Sequence, residues 1–252
     1  MDELELLVDL HSDGARQGPG GEHETRLAIE LAGLKSKNGL KVADIGCGSG
    51  ASAMVLAKEL DAQVIAVDLF QAFLSKLEAS ASQHGFSGRV TTLEASMDKL
   101  PFEAASLDVI WSEGAIYNMG FENGVTAWRR FLKPGGVLAV SELTWFTRSR
   151  PDELDAHWGK EYPEVDTAAA KLAVLEKSGY RILGYFPLPE HCWMDNYYRP
   201  TAKRIPAFLD EHDHSDAAQA IADMEQAEVA LYQKYRAYVG YGFYIACRTE
   251  DP

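Results

Sequence analysis

The stretch Val42-Ala43-Asp44-Ile45-Gly46-Cys47-Gly48-Ser49-Gly50 constrains this chain more than any other. A short apolar run enters a loop with glycine at alternate positions and leaves as the apolar helix pattern Ala51 to Leu60. That is the order of a β-strand, a tight turn against a ligand and a helix N-terminus. Gly46, Gly48 and Gly50 give the turn conformational freedom and let a ligand approach the backbone. The free N–H groups of the helix start favour the negative end of that ligand. Gly46, Gly48 and Ala51 also satisfy a dinucleotide fingerprint loosely. Asp44 weighs against that reading, because a carboxylate beside a pyrophosphate repels it in a site of reduced dielectric. The same carboxylate suits a ligand that carries an ammonium group.

Asp44-x-Gly46-x-Gly48-x-Gly50 resembles the first motif of the class I S-adenosylmethionine-dependent methyltransferases, whose cofactor has a methionine amino group and no phosphate. Ala62 to Asp68 reads as a buried parallel strand ending in an acid about 20 residues past the loop, a place suited to accept from two ribose hydroxyls. Asp68 is therefore the ribose residue, with Leu69 and Phe70 as cover for adenine. Ser96-Met97-Asp98-Lys99-Leu100-Pro101-Phe102 resembles the family's loop before Leu-Pro-Phe. The resemblance implies an adenine contact at Ser96, where the family commonly has Asp, and a backbone N–H and apolar wall at Met97. A hydroxyl at Ser96 can still accept a hydrogen bond. Leu132-Lys133-Pro134-Gly135-Gly136 before an apolar strand is a further family feature, read locally as the stop of a helix over 127–132 before a strand from Val137 to Glu142.

From this resemblance the expected fold is α/β, a doubly wound, mostly parallel, seven-stranded Rossmann-like sheet with a small helical lid inserted before the last strand. Residues 1–188 and 240–252 form the cofactor-binding domain, with 1–34 as an N-terminal helical cap, and 189–239 form the lid. Asp13 to Gly21, with four glycines and a proline, is a loop; the resemblance implies that its Gly18–Gly21 part closes over the cofactor, a flexible connector being the alternative, and Arg16, Glu24 and Thr25 are the polar residues to watch in this loop and the helix after it. Thr147 to Pro163 reads as irregular.

The cofactor set is thus Asp44, Gly46, Cys47, Gly48, Gly50, Asp68, Leu69, Ser96, Met97 and Glu113. Ligands of open parallel sheets lie at the carboxyl ends of the strands, which nominates Glu113, Tyr117 and Asn118 after strand four and Glu142 and Trp145 at the end of strand five. Trp193 and Tyr197 in the lid complete the substrate candidates, though the same aromatics could anchor the helices or form a homodimer contact. Glu113, Glu142 and His191 are the candidate general bases, needed only if the acceptor keeps its proton at neutral pH. The implied reaction is in-line attack of a small-molecule nucleophile on the sulfonium methyl of S-adenosyl-L-methionine, leaving S-adenosyl-L-homocysteine. A sensor or partner subunit that binds S-adenosylmethionine without transferring its methyl is the alternative, followed by an NAD-dependent oxidoreductase.

Composition narrows the partners. The formal net charge is −14, which disfavours nucleic acid and anionic membrane surfaces. Three scattered cysteines without C-x-x-C spacing suggest a reducing compartment with neither disulfide framework nor zinc site. His212-Asp213-His214, near Asp210 and Glu211, looks like a solvated helix junction, so no metal is expected. The acidic start Met1-Asp2-Glu3-Leu4-Glu5 lacks the features of a signal peptide, and no apolar run is long enough for a membrane span. The expected location is cytoplasmic.

Overall fold

The computed structural model describes residues 2–250. Met1, Asp251 and Pro252, which fall within the domain bounds given above, lie outside the described residues. In chain order the elements are α1 (Glu3–Ser12), α2 (Glu22–Leu31), β1 (Leu40–Ile45), α3 (Ala51–Glu59), β2 (Ala62–Asp68), α4 (Gln71–Gln83), β3 (Val90–Glu94), β4 (Leu107–Glu113), α5 (Phe121–Arg129), β5 (Leu132–Trp145), α6 (Asp152–Glu161), β6 (Asp166–Thr167), α7 (Ala168–Lys177) and β7 (Tyr180–Pro187). There follow α8 (Glu190–Trp193), a π-helical turn Met194–Tyr198, α9 (Arg199–Glu211), α10 (Asp216–Tyr235) and β8 (Val239–Arg248).

The main sheet runs β3-β2-β1-β4-β5-β8-β7, with the two-residue β6 added beside β5. β1 to β5 run parallel to one another, and β8 is inserted antiparallel between β5 and β7. The chain winds outward from β1 to β3 and then returns to place β4 on the other side of β1. At such a reversal the loops after the two central strands diverge and leave a crevice at their carboxyl ends. Here those loops are 46–50 and 114–120.

The central strands are apolar on both faces because helices cover both. One buried layer joins Val42, Val109, Trp111 and Leu143 to α2, α3 and the insertion. The other joins Ala43, Ile110, Val140 and Tyr244 to α5 and α7. A third cluster unites Leu6 and Leu10 of α1 with Ile205, Phe208, Ala218, Ile221 and Ala222 of α9 and α10. The first helix is thus packed on the insertion, 190 residues and more away in sequence.

Two local expectations are corrected. The helix expected over 127–132 ends at Arg129, and β5 begins at Leu132, paired with Leu107, not at Val137. Pro134 cannot continue a helix, and Gly135, at φ +76°, carries an irregularity inside an extended strand, not a helix cap. The stretch 147–163 contains the ten-residue α6. Asp152, Glu153 and Asp155 in its first turn complement the helix dipole, while Leu154 is its only buried residue, so an apolar period was absent from the sequence.

Candidate active site

The glycine loop takes the form its residues dictate. Gly46, Gly48 and Gly50 adopt φ of +72°, +53° and +90°, a region that costs an L-residue dearly. Space is as restrictive as torsion: a Cβ on Gly46 would lie 2.3 Å from Cβ of Ala115, and one on Gly48 would lie 2.2 Å from Oε1 of Gln17. Gly46 N and Cys47 N both donate to the carbonyl of Val67, at 2.8 and 3.0 Å, which holds the loop against the end of β2. Cys47 is buried there, and burial pushes its thiol pKa up.

Asp68 stands at the end of β2 and ties two elements together. Its Oδ2 accepts from Gly48 N at 2.8 Å and its Oδ1 from Phe70 N at 3.0 Å. It is partly open to solvent, and burial still raises its pKa against those backbone donors. Leu69 beside it is 55% exposed, an apolar side chain standing free at the crevice. Asp44 lies beneath the loop with no exposure at all. Ser52 donates to its Oδ2 at 2.7 Å, whereas Oδ1 has no partner. Burial pushes its pKa up to about 7, so the carboxyl titrates near neutrality until a cation compensates it.

The N-terminal segment closes over this loop. Gln17 Oε1 accepts from Ser49 N at 2.7 Å, while Ser49 Oγ donates to the carbonyls of Gly14 and Ala15, each at 3.2 Å. Lys76 Nζ donates to Ser12 O at 2.6 Å. Glu113 is the centre of the closure: Arg16 donates to its Oε2 at 2.7 Å, and Thr25 and Trp111 donate to its Oε1 at 2.7 and 2.9 Å. Arg16 and Thr25 were singled out in the sequence. Gln17 was not, since a glutamine in a glycine-rich loop carries no pattern.

The structure does not bring the three base candidates together. Glu113 is registered with Ser141, so Glu142, one residue on, points to the opposite face of the sheet. There it is buried with Lys171 Nζ at 3.9 Å, and its Oε2 is unpartnered. Burial pushes the Glu142 pKa up to about 7 and pulls the Lys171 pKa down, and each charge opposes the shift of the other. His191 lies on α8, half-exposed, 3.3 Å from Glu24.

Around Glu113 the substrate candidates separate into two groups. Tyr117 is 45% exposed and meets Tyr162 edge-on at 6.2 Å. Asn118 caps its own turn by donating to Ala115 O at 3.0 Å. Trp145, Trp193 and Tyr197 are buried. Arg150 covers the Trp145 ring at 4.1 Å, Trp193 stacks on Tyr232 at 4.5 Å, and Tyr197 stacks on His11 at 5.6 Å. Near the adenine candidates, Ser96 donates to Asp98, and Met97 O accepts from Trp128 Nε1 at 3.0 Å. An acid therefore stands two residues beyond the position where it was sought.

A family model described as a methyltransferase domain matches residues 42–136, which contain the glycine loop, Asp68, the Leu-Pro-Phe loop and Glu113. Residues 42–136 thus carry a methyltransferase domain, and the fold around them is that of the class I S-adenosylmethionine-dependent methyltransferases. Among curated relatives, the chain is 30% identical to the 27-O-demethylrifamycin SV methyltransferase of Amycolatopsis mediterranei, across 60% of this chain and 56% of that one. The chain spans about half the length of the curated relatives it matches. Among solved structures, an S-adenosylmethionine-dependent methyltransferase from Geobacter sulfurreducens in complex with S-adenosyl-L-homocysteine superposes with a TM-score of 0.84 at 19% identity, covering 96% of this chain and 97% of that one. The [4+2]-cyclase SpnF superposes with a TM-score of 0.76 at 21% identity, covering 98% and 93%. At such identities the superpositions show the methyltransferase fold and nothing finer.

Proposed function

We propose that this chain binds S-adenosyl-L-methionine in the crevice between β1 and β4 and transfers its methyl group to a small-molecule acceptor. The observation that carries this reading is the pairing of two carboxyls with one glycine loop: Asp44 wholly buried beneath it with an unpartnered Oδ1, and Asp68 fixed to it through Gly48 N. A buried carboxyl poised near neutrality is matched to an ammonium group and mismatched to a pyrophosphate. Asp68 keeps lone pairs free for two hydroxyls after taking its two backbone N–H bonds. Leu69 supplies an apolar surface next to it, and Ser96, Met97 and Asp98 face the same edge as polar and apolar partners for a purine.

The cofactor, when bound, supplies an electrophilic methyl on a sulfonium. The chain supplies position. The segment from Ser12 to Thr25, bolted down through Arg16, Thr25 and Glu113, excludes water from the crevice and fixes the approach of the acceptor. Glu113 has both carboxylate oxygens committed to three donors, which suits a positioning residue better than a general base. Glu142 and His191 face elsewhere. A mechanism that relies on alignment, with an acceptor already able to donate an electron pair, accounts for all three placements. Tyr117, exposed at the mouth after β4, is the acceptor contact this reading favours.

The test is incubation with methyl-labelled S-adenosylmethionine and small amine, thiol and hydroxyl acceptors, following S-adenosylhomocysteine release and label on the acceptor. Labelled product that vanishes in Asp68→Ala supports the reading. Tight cofactor binding without product from any acceptor class would favour a binding subunit.

A further inference from the structure

We infer that Glu24, His191 and Cys192 form a binding site for a borderline divalent cation of the zinc class, which staples the N-terminal segment to the helical insertion. Their donor atoms lie within 4.8 Å of one another. Glu24 Oε1 is 3.3 Å from His191 Nε2, and Cys192 Sγ is 3.7 Å from the same nitrogen. A tetrahedral cation with bonds of about 2.0–2.1 Å to N and O and about 2.3 Å to S separates adjacent donors by about 3.3–3.6 Å. The two edges therefore already have the spacing that coordination requires.

A second observation points to a missing partner. Glu24 is 3% exposed, yet its Oε2 has no hydrogen-bond partner. That oxygen can sit where it does only because residue 21 is glycine, since a Cβ there would lie 2.1 Å away. An acid so buried normally acquires a cation or a full set of donors, and His191 supplies contact to the other oxygen alone. Cys192 is fully buried beside it. A divalent cation would take its sulfur as thiolate, the proton leaving to solvent as the S–metal bond forms.

The mixed set of one thiolate, one imidazole and one carboxylate selects zinc-like ions over calcium or magnesium. Three protein donors leave a fourth position for water. The site spans two elements, since Glu24 belongs to α2 and the other two to α8. These are already held together by Gly20 N donating to Cys192 O at 3.4 Å and Asn196 Nδ2 donating to Gly20 O at 2.7 Å. Metal binding thus favours the closed arrangement of segment and insertion. The sequence concealed the site because its ligands fall at positions 24, 191 and 192 and match no metal spacing, while the conspicuous His212 and His214 pair separately with Asp9 and Asp210.

The experiment is titration of the chelator-treated full chain with cobalt(II), reading thiolate-to-cobalt charge-transfer absorption and tetrahedral ligand-field bands, then displacement by zinc. The expected result is one equivalent per chain, with charge transfer abolished in Cys192→Ser, affinity lowered about 100-fold in His191→Ala and unchanged in His214→Ala. Zinc at 100-fold above its dissociation constant should raise the unfolding midpoint by about 5 °C or more in the wild type, and not in Cys192→Ser. Absence of thiolate charge transfer in the wild type, or an unchanged spectrum in Cys192→Ser, overturns the assignment. If Cys192→Ser fails to fold, the wild-type spectrum and the half-exposed His191→Ala variant decide the question.

Discussion

Replacing Glu113 with glutamine should release the N-terminal segment from the crevice. In the wild type the Glu113 and Arg16 side chains are 6% and 10% exposed and 2.7 Å apart, so the pair is shielded from solvent. Removing one partner from a buried pair costs about 3–5 kcal/mol, because the other charge is left uncompensated. Glutamine keeps an oxygen for Thr25 and Trp111 but turns an amide donor toward Arg16. The segment's other ties, at Gln17, Ser49 and Lys76, contribute about 1 kcal/mol each. Loss of about 3 kcal/mol therefore takes roughly half of what holds the closed form, and amide hydrogen exchange over residues 13–20 should accelerate about 100-fold. Arg16→Gln should do much the same, and the double variant should fall short of the sum by 1.5 kcal/mol or more, the signature of a direct pair. Exchange unchanged over 13–20, or strictly additive single effects, would refute the latch.

Three further outcomes follow from particular residues. Asp44, with a folded pKa of about 7 against an ordinary 3.8, binds its proton more tightly in the folded state, so stability falls as pH rises from about 4 to about 7 and is flat above. The Asp44 share of that span is of the order of 4 kcal/mol, and Asp44→Asn should remove this share from denaturant titrations across pH, leaving the smaller slope of the same sign that buried Glu142 contributes. Phe208, fully buried against α1 and α10, should cost about 3–5 kcal/mol when cut to alanine, with exchange rising in α1, α9 and α10 ahead of the sheet. Gly48→Ala places a side chain at φ +53° and against Gln17; it should weaken cofactor binding at least tenfold by calorimetry, and full affinity would show that the loop tolerates a Cβ.

The parts of this site that were legible in the sequence are those written in local patterns. Alternate glycines after an apolar run can be little else but a ligand turn, and an acid closing the next apolar run marks the strand end beside it. Arg16, in the glycine-rich loop, and Thr25, in the first turn and a half of the helix that follows, are polar residues the sequence marks, although their shared partner lies 97 and 88 residues away. What remained hidden depends on tertiary register. Glu113 and Glu142 look equivalent as acids at strand ends, and only the pairing of Glu113 with Ser141 sends them to opposite faces. Helix α6 shows no apolar period because Leu154 is its one fully buried residue, with Trp158 partly buried against the same core, and β5 begins early because a Pro-Gly-Gly segment can be extended as readily as it can stop a helix. Trp145, Trp193 and Tyr197 read from the sequence as aromatics near the ligand edge, and the sequence does not show that all three are buried against neighbouring side chains.

The most direct test of the central claim is calorimetric titration with S-adenosylmethionine, S-adenosylhomocysteine and NAD, on the wild type and on Asp68→Ala. The structure predicts one equivalent of each adenosyl ligand and no NAD. Two charge-assisted hydrogen bonds to ribose, at about 1.5 kcal/mol apiece, make the expected loss in Asp68→Ala about 100-fold. NAD binding alone, or adenosyl affinity untouched by the loss of Asp68, would contradict it.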